Sequence, residues 1–219
     1  MARIGICLSG CGFNDGAEIH ESVITALALD RVGTDILYTA PNMMQTKVVN
    51  HLSGDNMNEN RNVLIESARI ARGEITDLAD ITADDMDGLI FPGGFGAVLN
   101  LCDFGIKGAD CDINPEVNRI IQEMLKENKP LGFICIAPAL FARAAKNADK
   151  TAKITIGNDQ GTADQIEKLG SQHIECTVDD FIVDEDNKIV STPAYMLAGS
   201  ITETASGIEK LVQNILAWT

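Results

Sequence analysis

Pro130-Leu131-Gly132-Phe133-Ile134-Cys135-Ile136-Ala137-Pro138 is the stretch from which the rest of this chain can be read. A short apolar run ends in a cysteine, turns at once and restarts as a helix-like segment over residues 137–146. A strand running straight into a helix forces a sharp turn. Its apex residue stands outside the sheet, and the N–H groups of the helix start point at whatever sits there. Helix N-termini lower a cysteine's pKa, and the thiolate is the reactive form. Cys135 is therefore the first candidate nucleophile, with a lowered pKa expected. The alternative is a small buried hydrophobe, a common role for a free cysteine.

Outward from this segment, strand and helix patterns alternate along the whole length, the signature of a parallel sheet covered by helices. Residues 3–8 read as the first strand, followed by a glycine-bearing segment at 9–16 and an apolar-periodic helix at 18–31 that stops at Gly33. Residues 35–39 form the next strand, 41–60 an extended polar loop and 61–72 a helix, with the strand 88–91 beyond. A loop rich in Gly and Asp spans 100–112, and Asn114-Pro115-Glu116 then opens a helix to about 127, Asn capping and Pro in the first helical position. A strand is expected at 153–156, a helix at 161–169, strand-rich chain at 174–192 and a final helix at 195–218. No repeat, low-complexity tract or linker divides residues 1–219, so one doubly wound α/β domain with a mostly parallel sheet and helices on both faces is expected.

In such a sheet, ligands sit at the carboxyl ends of the strands. That edge holds three suggestive segments. Glu18-Ile19-His20-Glu21 opens the first helix with two carboxylates and an imidazole on one turn, suited to holding a thiolate and moving protons, although acidic residues at a helix start also favour the helix dipole without any function. Pro92-Gly93-Gly94 follows a strand, and paired glycines let N–H groups approach a ligand closely. Beside a nucleophile they form an oxyanion hole, here Gly94 N–H with Ile136 N–H. Ser9-Gly10-Cys11-Gly12-Phe13-Asn14-Asp15-Gly16 has Asp15 where a dinucleotide loop needs Gly, and no phosphate-binding G-x-x-x-x-G-K-[ST] string is present.

Composition narrows the partners. With 17 Lys and Arg against 32 Asp and Glu, the net charge is −15, which argues against nucleic acid and anionic membrane surfaces. The start of the chain enters a strand pattern directly, with no secretory signal, and no apolar run is long enough to span a membrane. Six cysteines are scattered without C-x-x-C spacing; Cys7/Cys11 and Cys102/Cys111 are the close pairs. No metal or redox motif results, and a reducing compartment, the cytoplasm by default, is expected.

Taken together, the helix-one glutamate, the Pro-Gly-Gly turn and the strand–Cys–helix elbow resemble the ThiJ/PfpI branch of the class I glutamine-amidotransferase-like superfamily. The strings Leu8-Ser9-Gly10-Cys11-Gly12, Glu18-Ile19-His20-Glu21, Asn50-His51-Leu52-Ser53-Gly54, Ile134-Cys135-Ile136-Ala137-Pro138 and Thr192-Pro193-Ala194-Tyr195-Met196 resemble its ElbB subgroup. That subgroup is named for an effect on isoprenoid production, and one member is described as a weak glyoxalase. The resemblance implies a flavodoxin-like sheet, a homodimer, Cys135 as nucleophile, Glu21 as its carboxylate partner, and Gly94 and Ile136 N–H as oxyanion donors.

One departure matters. Amidotransferases and many PfpI-type proteases pair the cysteine with a histidine, and the position after Cys135 is Ile136. His173-Ile174-Glu175 imitates the amidotransferase His-x-Glu motif, but it begins a strand just after the helix stop Gly170 and is expected at the opposite edge of the sheet. His20 is a candidate acid/base near the pocket; His51 reaches it only if the long loop folds over, and Cys11 is a candidate border residue. Without a triad histidine, glutamine hydrolysis and proteolysis are disfavoured. Reversible attack of Cys135 on a small dicarbonyl remains: a glyoxalase-type lyase reaction needing no metal, glutathione or nucleotide. The alternative is a redox-responsive binding protein in which Cys135 is oxidised reversibly.

Overall fold

The computed structural model describes residues 2–219. Its central sheet has seven strands. The first half of the chain supplies β1 (Arg3–Cys7), α1 (Ile19–Asp30), β2 (Asp35–Ala40), α2 (Val63–Ile70), β3 (Thr76–Asp77) and β4 (Gly88–Phe91). α3 (Phe95–Leu99), α4 (Phe104–Lys107) and α5 (Pro115–Lys126) lead to β5 (Leu131–Ile134), which runs into α6 (Ala137–Asn147). Then come β6 (Lys153–Ile154), α7 (Gln160–Lys168), β7 (Gln172–His173), β8 (Ile182–Asp184), β9 (Ile189–Thr192) and α8 (Ile201–Ala217). Six strands of the sheet are parallel, and β8 closes the edge antiparallel to β9.

The strand sequences explain the layers. All four residues of β4 and of β5 are buried, as expected for parallel strands covered on both faces. Alternation then splits them: Leu89, Phe91, Leu131 and Phe133 pack toward α5 and α6, and Ile90 and Ile134 toward the face of α1 and α8. Phe133 lies between Phe91 and Phe141, with ring centroids 5.1 and 4.6 Å away. The strand order runs outward from β1 to β2 and β3 on one side and to β4 and β5 on the other, so the crevice at the switch point opens between β1 and β4. The loops after β1, β4 and β5 carry the expected site residues, and all three leave from this edge.

Several elements differ from the sequence expectation. The final helix starts at Ile201 rather than at 195, because Ser200 caps it, its Oγ accepting the Glu203 N–H at 3.2 Å. Tyr195 instead sits in a short 3-10 turn after Pro193. The strand expected at 153–156 shortens to Lys153–Ile154 and joins β7 in a separate two-stranded sheet. Only two short strands arise from 174–192, and the loop 100–112 contains α4. β3, just two residues long, has no periodicity to betray it. The Asn114 cap and Pro115 start appear as expected, Asn114 Oδ1 accepting from Glu116 and Val117 N–H.

The loop 41–60 has no helix or long strand but is firmly held. Asp15 Oδ2 accepts the Val49 N–H at 2.7 Å, and the Asp15 carbonyl accepts from the Gln45 amide at 3.0 Å. Asn100 ties three segments together: its amide donates to the Ser9 and Asp15 carbonyls, and its Oδ1 accepts the Thr46 N–H.

Candidate active site

Cys135 occupies the first position after β5 with φ +63°, a left-handed conformation that costs a residue with a Cβ on the order of 1–2 kcal/mol. Its own N–H is spent on the Thr192 carbonyl at 2.9 Å, which ties the turn to the end of the neighbouring strand β9. The side chain is thereby directed to the sheet edge, where the Gly94 and Ile136 N–H groups hydrogen-bond it. Ala194, at φ +43°, is a second left-handed residue at the site and delivers the Tyr195 N–H.

Glu21 is fully buried on the first turn of α1. Its Oε2 accepts the Gly93 N–H at 2.9 Å, its Oε1 accepts the Tyr195 N–H at 3.2 Å, and its carboxyl hydrogen-bonds the Cys135 thiol. Gly93 leaves no free room for a side chain: a Cβ there would stand 2.5 Å from Cys135 Cβ and 2.9 Å from the Ile134 carbonyl oxygen. Gly94 turns with φ +88° so that its N–H faces the sulfur.

Burial pushes the Glu21 carboxyl up to about 8, helped by the charge of Glu18 and opposed by its hydrogen bonds from Tyr195, Cys135 and Gly93. At neutral pH it therefore keeps its proton. Cys135 departs from the lowered value expected at a helix start. Burial and the charge of Glu21 push the thiol well up, and the Gly94 and Ile136 N–H groups pull only partly against them. Once Glu21 is protonated its charge no longer opposes the thiolate, and its O–H becomes a donor to sulfur. The form of the pair that carries a single proton is then the reactive one.

A cavity of about 510 Å³ is lined by Cys135. Glu18, Gly94, Ile136 and Tyr195 line it, with the apolar Phe13, Phe95 and Met196 and the polar Asp159 and Thr162 from the start of α7. Neither Asp159 nor Thr162 is marked as a site residue by the sequence pattern. Phe13 and Phe95 carried no signal there either, since isolated exposed aromatics are common. The expected residues separate on inspection. Cys135, Glu21, Gly94 and Ile136 converge. His20 lies outside the wall and reaches it through Tyr195, whose hydroxyl is 2.7 Å from His20 Nδ1. His51 packs edge-on against Phe13 at 5.4 Å and accepts the Asn14 N–H, behind the wall rather than in it. Cys11 lies near Glu66, Arg69, Asp15 and Arg61 instead of bordering the cavity. His173 is also away from the wall, with its Nε2 accepting the Ile156 N–H. Among the described residues, no group of three or more His, Cys, Asp or Glu stands together in a way that could hold a metal ion, and no helix is long and apolar enough to cross a membrane.

A strand–cysteine–helix elbow beside a paired-glycine turn, on a sheet of this order, defines the class I glutamine amidotransferase-like fold. No family model matches the chain. Similarity to known proteins is nonetheless high over the full length. The chain is 42% identical to the Homo sapiens mitochondrial glutamine amidotransferase-like class 1 domain-containing protein 3, covering 100% of this chain and 84% of that one. It is 32% identical to the Danio rerio mitochondrial ES1 protein over 89% of this chain and 77% of that one. An Ehrlichia chaffeensis isoprenoid biosynthesis protein with an amidotransferase-like domain superposes with a TM-score of 0.93 at 34% identity, covering 100% and 99% of the two chains. Candida albicans glyoxalase III shares the fold, with a TM-score of 0.62 at 16% identity and coverage of 99% and 96%. The chain belongs to the ES1 family of glutamine amidotransferase-like class 1 domain proteins, whose structural neighbours include ElbB-like and DJ-1/ThiJ/PfpI proteins.

Proposed function

We propose that this protein is a slow, cofactor-independent glyoxalase-type enzyme that converts glyoxal or methylglyoxal to a 2-hydroxy acid, with Cys135 and Glu21 as catalytic residues. The observation that carries the proposal is the convergence on one sulfur of a buried carboxyl and two backbone N–H donors, with no histidine among the described residues of the cavity wall. That set suits addition to an aldehyde better than peptide or amide hydrolysis, where a leaving amine needs an imidazole to protonate it.

In the proposed sequence the Cys135 thiolate attacks one carbonyl carbon of glyoxal, and Glu21 gives its proton to the alkoxide, forming a hemithioacetal. The Glu21 carboxylate then takes the proton from that carbon and returns it to the neighbouring one, while the hydroxyl proton of the first carbon passes to the oxygen of the second. Oxidation of the first carbon and reduction of the second are thus internal, and the product is a glycolyl thioester. Water, deprotonated by Glu21, hydrolyses it to glycolate and restores the thiolate. The Gly94 and Ile136 N–H groups hold the oxyanion at each tetrahedral stage. A single carboxyl is a modest proton shuttle, contributing about 10²–10⁴-fold, in keeping with slow turnover. His20 enters this scheme through the Tyr195 hydroxyl.

The same donors would hold an oxidised sulfur, so reversible oxidation of Cys135 is the alternative reading. The test is glycolate production from glyoxal by purified protein without added cofactor, wild type against Glu21→Gln. Turnover lost in the variant supports the enzyme. Stoichiometric sulfenic or sulfinic acid at Cys135 without turnover supports the sensor.

The proposal extends to a homodimer, for which Ile19, Val23 and Leu27 form an exposed apolar row on α1. It also places the chain in a reducing compartment, matching six free thiols. The cytoplasm is the simplest such compartment, and the mitochondrial names of the vertebrate relatives point to a second. A link to isoprenoid supply is part of the same reading, supported by the name of the Ehrlichia relative.

A further inference from the structure

The cavity above Cys135 is much larger than the substrates just named and is biased in charge. Glyoxal has four heavy atoms, whereas 510 Å³ falls in the range of about 300–1,000 Å³ that drug-sized ligands fill. Two carboxylates, Glu18 and Asp159, stand on the wall, and among the described residues no Lys, Arg or His does. Neither carboxylate has a cationic partner among the described residues. Lys47, over the Phe95 ring with its Nζ 5.8 Å from the centroid, is a neighbour of the wall and not part of it. Hydrogen bonds from Thr162 hold the Asp159 carboxyl below the usual carboxylate range, so its charge is present throughout the neutral region.

Both acids cap helices. Glu18 Oε2 accepts the Glu21 N–H at 2.7 Å and Asp159 Oδ1 accepts the Thr162 N–H at 2.8 Å. Each cap bond uses one carboxylate oxygen, and an amide of the same shape would make it equally well. The negative charge is therefore more than the helices require. The same wall carries the apolar side chains of Phe13, Phe95, Ile136 and Met196. Aromatic faces next to unpaired carboxylates are the surroundings in which a desolvated cation is held.

We infer that the cavity takes carbonyl compounds that carry a positive charge at the outer end of an apolar stem, amino aldehydes being the simplest class, and turns away those bearing a carboxylate or phosphate. The inference rests on reading this cavity as the place where substrate meets Cys135. Glyoxal would then be a minimal substrate that reaches the sulfur but leaves most of the cavity empty, which accounts for slow turnover in physical terms.

The test uses the charge of a thiol reagent and does not depend on aldehyde turnover. The full chain is treated at low salt with methanethiosulfonates bearing a trimethylammonioethyl, a sulfonatoethyl or a methyl group. Each forms a mixed disulfide with Cys135 and releases methanesulfinate, and peptide mass mapping separates Cys135 from the other five cysteines. The expected cation-to-anion rate ratio at Cys135 is about tenfold or more, and it falls at least about fivefold in Glu18→Gln/Asp159→Asn, which keeps both caps. Glu185→Gln/Asp186→Asn removes two charges at the opposite edge of the sheet, before β9, and is expected to stay within about twofold of wild type. No cation preference, or an equal fall in both double variants, would overturn the inference. So would failure of all three reagents to label Cys135, which would mean there is no open way to the sulfur. A preference that collapses only with Glu18 and Asp159, in a protein without glyoxal turnover, would leave this inference standing and remove the glyoxalase reading; glyoxal turnover without the preference would do the reverse.

Discussion

Glu21 and Tyr195 are separated by almost the whole chain, yet the Tyr195 N–H donates to Glu21 Oε1 at 3.2 Å. With the Gly93 N–H on Oε2, that bond fixes the carboxyl plane so that its proton faces Cys135. Three strand ends meet in this contact, those of β4, β5 and β9, together with the first turn of α1. Apart from the Cys135 thiol, the carboxyl is held by backbone donors, so its position depends chiefly on the fold.

Glu21 makes the stability of the protein depend on pH. Its folded-state pKa, about 8, lies above the ordinary 4.5, so the folded protein binds more protons than the unfolded one between those values. Stability is therefore full below about pH 4.5 and declines as pH rises toward 8, by about 5 kcal/mol if the whole shift is expressed. Glu21→Gln is expected to flatten this slope and to be the more stable protein at pH 9. Denaturant unfolding of both proteins at pH 5, 7 and 9 checks it, and parallel curves would refute the buried, protonated carboxyl.

Gly93→Ala probes the close approach at the elbow. The added methyl meets Cys135 Cβ at 2.5 Å and the Ile134 carbonyl at 2.9 Å, neither of which can swing aside. A loss of about 1–3 kcal/mol is expected, which for a chain of this size lowers Tm by roughly 2–4 °C per kcal/mol. Activity should fall further than stability, because the Cys135–Glu21 geometry is what yields. Calorimetry beside glycolate assays measures both.

The Tyr195 hydroxyl is the link between His20 and the cavity. If His20 supplies or accepts protons there, His20→Ala and Tyr195→Phe each lower kcat by about tenfold and the double variant is no worse than either. Additive losses in that cycle would show that the two residues act separately.

Asn100 is buried and bonded to two other segments, the loop 9–16 that carries Phe13 and Asp15 and the loop 41–60. Asn100→Ala leaves the Ser9 carbonyl without a partner and is expected to cost about 1–3 kcal/mol. It should also free the loop 41–60 for proteolysis while leaving the elbow intact. Limited proteolysis with mass mapping reads the site of first cleavage; cleavage elsewhere would deny the loop's dependence on Asn100.

How far the sequence carries can be seen residue by residue. The elbow was readable because Phe133-Ile134-Cys135 ends one periodicity and Ala137-Pro138 starts another within two residues. Gly93 and Gly94 were readable because a glycine pair directly after a buried strand marks a close approach of backbone to its surroundings. What was not readable depended on burial from distant segments. The helix start predicted a lowered thiol pKa, but the surrounding chain desolvates Cys135 and reverses the direction. Tyr195 looked helical until Pro193 and Ser200 are seen to end and begin separate turns. Phe13, Phe95 and Asp159 reach the cavity only through loop conformations that no local pattern encodes.

The most direct measurement of the central claim is glycolate formation from glyoxal, without added cofactor, by wild type and by Cys135→Ser. Slow turnover is expected of wild type and at least about a hundredfold less of the variant, since a serine hydroxyl without an imidazole base is a poor nucleophile. Equal turnover by the two proteins would contradict the claim and remove Cys135 from the chemistry.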